Sequence, residues 1–210
     1  FVLENLRFLP EEQKNSPELA KKLAGLGDFY VNDAFAVCHR SNASVGAITK
    51  FLPSFAGLEL ESEIKNLSQV IKDPRRPFLI IIGGAKISTK LPIFEYFSKK
   101  ADFFLVGGAL ANNFLAATGK KIGKSLVEKE KIPETKKILK NGNVIIPIDV
   151  RTDKNGIILD IGPETIKLFI GYIKKSKIII WNGPMGKFEE KGFEKGTKEV
   201  GEIIVRNHRA

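Results

Sequence analysis

From residue 78 onward, the chain alternates short apolar runs with longer stretches in which apolar and polar residues recur at helical spacing. The apolar runs, which predict strands, are residues 78–82, 102–107, 143–149 and 177–182, and the continuous run over 78–82 is typical of a strand covered on both faces. The other stretches predict a helix that ends near residue 100 and further helices over 109–119, 162–175 and 193–207. This alternation predicts an α/β fold, a Rossmann-like parallel sheet with helices on both faces.

The first 57 residues have a different organisation and predict the remnant of a second α/β domain. An amphipathic stretch over 15–27 predicts a helix, and residues 28–33 predict a strand. A long, charged amphipathic stretch over 57–73 ends before Pro74, so it predicts a helix that connects two domains. The predicted segments are therefore an incomplete domain over 1–57, a connecting helix over 58–73 and a larger domain over 74–210.

Each predicted strand of the larger domain is followed by residues that suit a ligand site. They are Gly83–Gly84, Gly107–Gly108, Asp149 and the run Asn182–Gly183–Pro184. Glycine lets backbone N–H groups approach a ligand closely, and ligands of parallel sheets bind outside the carboxyl ends of the strands. Tight turns alone would explain any single glycine pair, but glycine-bearing turns after three strands make an anion pocket equally plausible.

Two lysines follow the first of these turns. Lys86 and Lys90 would repel each other on one helix face and oppose the helix dipole, a placement that suits a polyanion better than stability. Pro92 is tolerated only in the first turn of a helix, so the helix should begin near Thr89. We expect Lys86 on the loop and Lys90 at the helix start.

The sequence contains neither of two familiar nucleotide-binding motifs. The run TGKKIGKS (118–125) ends like a P-loop, but too few residues separate Gly119 from Gly123, and the run follows a helix rather than a strand. No GxGxxG turn follows any predicted strand, which argues against a dinucleotide-dependent dehydrogenase.

The first segment contributes two arginines, Arg7 and Arg40, near predicted strand ends. Their planar guanidinium groups suit phosphate and carboxylate, although a pair of surface arginines is an equally good interpretation of the composition. His39 is more simply interpreted as a structural residue than as a base. Cys38 lies among apolar residues, so we expect a buried, inert thiol.

The composition is that of an ordinary globular protein: 43% of the residues are hydrophobic and 28% are charged. The single cysteine cannot form a disulfide within the chain, which favours a cytoplasmic setting. The net charge of +10 falls entirely on residues 58–210, because residues 1–57 contain six basic and six acidic residues. The lysines form no stripe with interleaved aromatics, so a phosphorylated small substrate is favoured over nucleic acid.

Seven motifs occur in order along essentially the whole chain: LENLRF, VNDAF…HR, GGAKISTK, LVGGALANNF, IGKSL, LDIGPET and WNGPMGKFE. In this combination the sequence resembles the phosphoglycerate kinases. The resemblance implies a two-domain hinge enzyme of glycolysis that transfers a phosphoryl group reversibly between 1,3-bisphosphoglycerate and Mg-ADP, giving 3-phosphoglycerate and Mg-ATP. It assigns residues 1–57 to the phosphoglycerate-binding domain and 74–210 to the nucleotide-binding domain, in a monomer that binds neither nucleic acid nor membrane.

The resemblance also implies roles for individual residues. Arg7 and Arg40 match arginines that hold the phosphoglycerate, and Lys86 matches the lysine that stabilises the transferring phosphoryl group. The residues that match nucleotide-binding positions are Gly84, Lys86, Lys90, Gly107, Gly108, Leu159, Asn182, Pro184 and Glu189. Leu159 would lie against the adenine and Glu189 would bind the ribose. Mg²⁺ would arrive with ADP or ATP, with no metal ligand from this chain.

Typical family members also carry a DFNVP-type stretch before LENLRF and a GGGD loop near their carboxyl end, with the aspartate that usually accompanies Mg²⁺. Neither segment occurs in these 210 residues. We therefore expect a fragment that lacks most of the amino-terminal domain and the carboxyl-terminal end, with at most a trace of kinase activity. The alternatives are a non-catalytic basic domain that binds nucleotide or nucleic acid, and a degenerate remnant of the enzyme.

Overall fold

A computed structural model describes residues 2–207, apart from the side chain of Gln69. Residue 1 of the predicted segment 1–57 lies outside the described residues, and so do residues 208–210 of the predicted segment 74–210. The chain divides into two compact units, Phe1–Asp73 and Pro74–Ala210.

Among its described residues, the first unit contains three α-helices and two short strands besides short 3-10 turns. Their bounds are α1 Pro10–Gln13, α2 Pro17–Ala24, β1 Tyr30–Asn32, β2 Ser54–Ala56 and α3 Leu58–Lys72. The two strands pair in parallel, and a small core of Ala20, Ala43, Ala47 and Ile48 lies beside α2. Asp33 accepts a hydrogen bond from the backbone N–H of Leu60 (3.0 Å), which anchors the first turn of α3 to the same unit.

The second unit contains six strands and five helices among the described residues. Their bounds are β3 Phe78–Ile82, α4 Leu91–Phe97, β4 Phe103–Val106, α5 Ala111–Ala117, α6 Ile132–Leu139, β5 Val144–Ile145, β6 Val150–Thr152, β7 Ile158–Ile161, α7 Pro163–Lys175, β8 Ile178–Asn182 and α8 Lys195–Val205. Four strands form a parallel sheet in the order β5-β4-β3-β8. The predicted parallel α/β fold is confirmed.

The central strand β3 is buried along its whole length because helices cover both faces of the sheet. Leu79 and Ile81 belong to a core cluster that also contains Phe169 of α7 and Val200 of α8. On the other face, the ring of Phe78 meets Phe97 of α4 edge to face. The ring of Phe94 packs between Phe104 and Phe114, with centroids 5.1 and 5.4 Å away. Alternate residues of one strand thus supply two hydrophobic cores.

The third predicted strand is much shorter than expected. Only Val144–Ile145 pair with β4, whereas the prediction covered residues 143–149. Pro147 has no N–H to donate to a ladder, which explains why the strand ends early. Asp149, expected at a strand end, accepts hydrogen bonds from the N–H groups of Glu164 and Thr165 and so caps α7.

The sequence analysis missed an antiparallel hairpin between these elements. Strands β6 and β7 pair around a turn in which Asp153 accepts hydrogen bonds from the N–H groups of Asn155 and Ile157. Ser125, the last residue of the run excluded as a P-loop, accepts a hydrogen bond from the N–H of Ile158 (2.8 Å). That run therefore supports the hairpin.

None of the helices that the structure describes is both long enough and apolar enough to span a bilayer.

Candidate functional site

Backbone hydrogen bonds join the strand ends of the main sheet to the loop that follows β8. The N–H of Gly83 donates to the carbonyl of Asn182 (2.9 Å), and the N–H of Gly84 donates to Pro184 (3.0 Å). The N–H of Gly108 donates to Met185 (2.7 Å). The turns after β3, β4 and β8 are therefore fixed against one another at one edge of the sheet.

Three glycines at this edge, Gly84, Gly108 and Gly183, have backbone conformations that other residues rarely adopt. Gly84 has a φ of +102° and Gly108 a φ of +63°. A Cβ on Gly84 would meet nothing within 4 Å, so this residue faces open space, whereas a Cβ on Gly108 would lie 2.6 Å from the nitrogen of Gly84. The close approach of these two turns requires glycine at the second position.

A cavity of about 290 Å³ opens beside these turns. Five of the residues expected to bind nucleotide line it: Gly84, Gly108, Leu159, Pro184 and Glu189. Two larger depressions, of about 390 and 450 Å³, lie over α4 and α6 and over α7 and α8, and neither contains a residue from a strand end. The 290 Å³ cavity is therefore the candidate site.

Three other expected residues lie near this cavity in the chain without lining it. Lys86 is exposed on the irregular loop after β3, as the position of Pro92 predicts. Lys90 directly precedes α4, which begins at Leu91, two residues after Thr89, and its Nζ donates a hydrogen bond to Asn182 Oδ1. These side chains place two ammonium groups and an amide next to the glycine turns.

Gly107, a further expected nucleotide-binding residue, adjoins the lining residue Gly108 but does not itself line the cavity. A Cβ here would lie 2.6 Å from Met185 Sδ, and Met185 is fully buried. Glycine at this position makes room for a core side chain and does not contact the cavity.

A carboxylate that the sequence analysis missed fixes the lysine-bearing loop. Glu128 accepts two hydrogen bonds from Ser88, one from its hydroxyl (2.6 Å) and one from its N–H (3.0 Å). These bonds from Ser88, and to a smaller extent the charge of Lys86, lower the pKa of Glu128. The contact spans 40 positions of the chain, so no local pattern reveals it.

A second missed carboxylate, Asp160, supports the opposite wall of the cavity. It is buried at the end of β7 and accepts hydrogen bonds from the N–H groups of Ile161 (2.8 Å) and Gly196 (2.8 Å). Burial raises the pKa of Asp160 despite these bonds. A Cβ on Gly186, which lines the cavity, would lie 2.4 Å from Asp160 Oδ1. Asp160 thus ties β7 to the first turn of α8 and lies against Gly186 of the loop after β8.

The wall that contains Leu159 is completed by the same loop. The N–H of Lys187 donates to the carbonyl of Leu159 (2.7 Å), and the Lys187 ammonium pairs with Glu190 (2.9 Å). The hydrogen bond and charge of Glu190 raise the pKa of Lys187. Glu189 remains exposed at the cavity rim.

Both arginines of interest belong to the first unit. Arg7 lies in a short 3-10 helix, Leu6–Phe8, and Arg40 follows a second one, Phe35–Val37; both residues are exposed. Within residues 2–207, neither guanidinium forms an ion pair with an acidic residue. The expectation of a buried Cys38 is wrong: the residue is exposed, and its Sγ donates to the carbonyl of Ala34 (3.3 Å).

The chemistry of the 290 Å³ cavity is mixed. Its walls are glycine backbone, Leu159, Ile158 and Pro184, while the ammonium groups of Lys86 and Lys90 lie on the loop that leads away from Gly84. Apolar walls with a few polar groups suit a flat ligand, and the ammonium groups suit its anionic part. The ammonium groups of Lys86 and Lys90 therefore favour binding of phosphate oxygens over binding of a metal cation.

Comparisons with known proteins agree on one family. The family model described as phosphoglycerate kinase matches residues 1–210. The phosphoglycerate kinase of Desulfovibrio desulfuricans is 43% identical over 227 residues, and that of Dictyoglomus turgidum is 41% identical over 229 residues. These alignments cover 97% and 98% of this chain but 58% of each relative, so the chain spans little more than half the length of the relatives it matches.

Solved structures give the same result. The phosphoglycerate kinase of Coxiella burnetii superposes with a TM-score of 0.83 at 34% identity, covering 97% of this chain and 59% of that one. The enzyme of Pyrococcus horikoshii superposes with a TM-score of 0.86 at 31% identity, covering 98% of this chain and 60% of that one. The chain therefore belongs to the phosphoglycerate kinase family.

Proposed function

We propose that residues 74–210 bind Mg-ADP or Mg-ATP and that this chain is part of an enzyme that transfers a phosphoryl group between 1,3-bisphosphoglycerate and Mg-ADP. The observation that carries the proposal is the shared cavity. Five residues that match the family's nucleotide-binding positions, drawn from four separate parts of the chain, line one cavity at the carboxyl edge of the sheet. Such an edge is where open α/β sheets bind their ligands.

In the proposed complex, the base lies against Leu159 and the ribose binds Glu189. The phosphates extend toward Lys90, which Asn182 orients, and Gly84 and Gly108 let the backbone approach the ligand. The exposed Lys86 neutralises charge on the phosphoryl group in transfer, because its position on an irregular loop leaves the ammonium free to follow that group.

Mg²⁺ enters with the nucleotide in this proposal. When bound, it neutralises charge on the phosphate oxygens. Among residues 2–207, no group of three or more His, Cys, Asp or Glu side chains could hold a metal ion. The residues that this chain offers, Lys86, Lys90 and Asn182, bind and orient the phosphates.

In this proposal the first unit binds the phosphoryl acceptor, 3-phosphoglycerate. Arg7 and Arg40 carry exposed guanidinium groups that can bind the carboxylate and phosphate of 3-phosphoglycerate. Phosphoryl transfer needs positioning and charge neutralisation more than a protein nucleophile, so lysine and arginine suffice for these roles. We propose that the enzyme is glycolytic, cytoplasmic and monomeric and acts on small-molecule substrates. The 210 residues by themselves bind nucleotide but have no appreciable turnover.

Isothermal calorimetry of the 210-residue chain with Mg-ADP tests the nucleotide site. We expect saturable binding that Lys90→Ala weakens about tenfold, because a charge-assisted contact to phosphate is lost. Lys99→Ala is the matched control, since Lys99 is an exposed lysine at the other end of α4 and its removal should leave the affinity unchanged.

Equal Mg-ADP affinity in wild type and Lys90→Ala would contradict the assignment. Absence of Mg-ADP binding, together with DNA or RNA binding that weakens steeply with salt, would instead favour a basic nucleic-acid-binding domain. Normal turnover of the 210 residues in a coupled kinase assay would contradict the proposal that they are inactive alone.

A further inference from the structure

Glu12 of α1 is a buried carboxylate that has no part in the site described above. The residue is only 3% exposed. Its Oε1 accepts a hydrogen bond from the hydroxyl of Ser44 (2.5 Å), and its Oε2 accepts one from the N–H of Ser44 (2.9 Å). Across residues 2–207, no cationic side chain pairs with it. A buried carboxylate without a cation is unfavourable for stability, so the two bonds from the serine offset the lost hydration.

These bonds belong to a set that ties the segment after Arg40 to the end of α1. The backbone carbonyl of Glu12 accepts from the N–H of Ala43 (2.9 Å). Asn15 Oδ1, just beyond α1, accepts from the N–H of Ala47 (2.9 Å). The backbone that follows Arg40 is therefore held by α1 at several consecutive points, and the buried carboxylate is the central one.

The same helix also holds the backbone of Arg7. Gln13 Nε2 donates to the carbonyl of Arg7 (3.3 Å), and the N–H of Arg7 donates to Asn5 Oδ1 (3.0 Å). Neighbouring residues of one short helix thus bind the two arginine-bearing segments, Gln13 the first and Glu12 the second. The relative position of the two segments depends on both contacts.

The second unit contains the same kind of contact. Glu128 accepts from the hydroxyl and from the N–H of Ser88, two residues after Lys86. In each unit, one carboxylate therefore binds both donors of one serine and fixes a loop whose cation the proposed function assigns to an anionic group of a substrate.

We propose that Glu12 is a positioning residue for the phosphoryl acceptor. Through Ser44 it keeps Arg7 and Arg40 at the separation at which both guanidinium groups bind one ligand, the phosphate and the carboxylate of 3-phosphoglycerate. The proposal rests on the proposed function, because it assumes that both arginines bind this acceptor. Two cations at a fixed separation strengthen the binding of a ligand with two anionic groups, since the second contact requires no further ordering of the protein. A ligand with one anionic group gains nothing from the spacing.

The test compares 3-phosphoglycerate with glycerol 3-phosphate, which has the phosphate but no carboxylate, by NMR titration of the whole chain. We expect wild type to bind 3-phosphoglycerate about tenfold more tightly than glycerol 3-phosphate. Glu12→Met removes both acceptors at similar side-chain length, so it should lower this ratio to about two and leave the affinity for glycerol 3-phosphate unchanged. The titrated signals report the folded chain, so a loss of stability by itself does not change the ratio.

Two further variants separate hydrogen bonding from charge. Ser44→Ala removes the hydroxyl and keeps the N–H, so the ratio should fall by about half as a smaller disturbance of the same contact. Glu12→Gln should keep most of the ratio, because the amide oxygen can accept from the N–H of Ser44 while the amide nitrogen donates to its hydroxyl.

Glu18→Met is the matched control. Glu18 also accepts from a serine hydroxyl, that of Ser16 (2.6 Å), but this contact lies at the start of α2 and binds neither arginine segment. The variant should keep both affinities and therefore the ratio.

The outcomes separate this proposal from the one on which it rests. A ratio that stays at the wild-type value in Glu12→Met and Ser44→Ala overturns the role of Glu12 and leaves acceptor binding intact; where Glu12→Met does not fold, Ser44→Ala alone gives the answer. Equal losses for both ligands also overturn it, because they show general damage to the unit. Wild type that binds Mg-ADP but neither of the two ligands overturns the assignment of the acceptor to Arg7 and Arg40, and this proposal with it.

Discussion

Lys90 Nζ donates a hydrogen bond to Asn182 Oδ1, which ties the residue before α4 to the last residue of β8 across 92 positions of the chain. The bond holds an ammonium group beside the loop that contains Pro184. It also gives Asn182 a role that requires no contact with the ligand, because Asn182 orients Lys90.

This relationship predicts that Lys90 and Asn182 act as one unit in nucleotide binding. Asn182→Ala should weaken Mg-ADP binding about threefold, less than Lys90→Ala, because the lysine loses orientation but keeps its charge. In the Lys90→Ala background, Asn182→Ala should have no further effect. Calorimetry on the two single variants and the double variant measures this, and fully additive losses would show that the residues act independently.

A second prediction concerns Glu128 and the stability of the lysine-bearing loop. Glu128→Gln should lower the free energy of unfolding by about 1 kcal/mol at neutral pH, because the bonds from Ser88 weaken when the acceptor loses its charge. Glu130→Gln, at an exposed neighbouring carboxylate, should have little effect. Urea unfolding measures both, and equal losses in the two variants would contradict the prediction.

The same carboxylate predicts a dependence on pH. The pKa of Glu128 lies below its ordinary value of 4.5 in the folded protein, so the unfolded chain binds its proton more readily. The contribution of Glu128 is therefore present above pH 4.5 and is lost as the pH falls through the lowered pKa. The stability difference between wild type and Glu128→Gln should shrink when urea unfolding is repeated near pH 3, roughly one to two units below that value.

A third prediction compares Gly84 and Gly108, two of the positive-φ glycines beside the cavity. Gly84→Ala should cost about 1–2 kcal/mol of stability, because the added Cβ meets only backbone strain. Gly108→Ala should cost about 3 kcal/mol or more, because its Cβ also overlaps the backbone of Gly84. Chemical denaturation of the two variants tests the order, and a smaller loss in Gly108→Ala would show that the turn relaxes.

A fourth prediction concerns Asp160. Asp160→Asn should destabilise the second unit by about 2 kcal/mol, because an amide cannot accept from both Ile161 and Gly196. It should also weaken Mg-ADP binding, because two residues that line the cavity depend on this carboxylate. Leu159 directly precedes Asp160 in β7, and Gly186 packs against the carboxylate. Asp153→Asn, in the hairpin turn, should leave ADP affinity unchanged. Loss of stability without any loss of affinity would separate Asp160 from the site.

The elements that sequence reasoning placed well are those whose signals are local. The run over 78–82 is uniformly apolar, so it specifies a strand buried on both faces. Pro92 fixed the start of α4 to within two residues, because proline tolerates only the first turn of a helix. The same argument separated Lys86 on the loop from Lys90 at the helix start.

What the sequence did not reveal depends on partners far along the chain. Nothing in the local sequence distinguishes Glu128 from a surface charge, because its partner Ser88 lies 40 positions away. Asp160 is likewise buried only through its contact with α8. The segment over 143–149 has the composition of a strand, but Pro147 interrupts its pairing. In each case the deciding interaction is a tertiary contact, which local periodicity does not encode.

The consecutive amides of Asn112 and Asn113 hold one short segment, residues 126–128, along α5. That segment leads to the carboxylate on which the loop of Ser88 rests. A substitution that removes the Asn112 amide would therefore release the carbonyl of Leu126 and loosen the support of the lysine-bearing loop. In evolutionary terms, Asn112, Asn113 and residues 126–128 share one structural constraint, so we expect substitutions at these positions to co-vary among relatives.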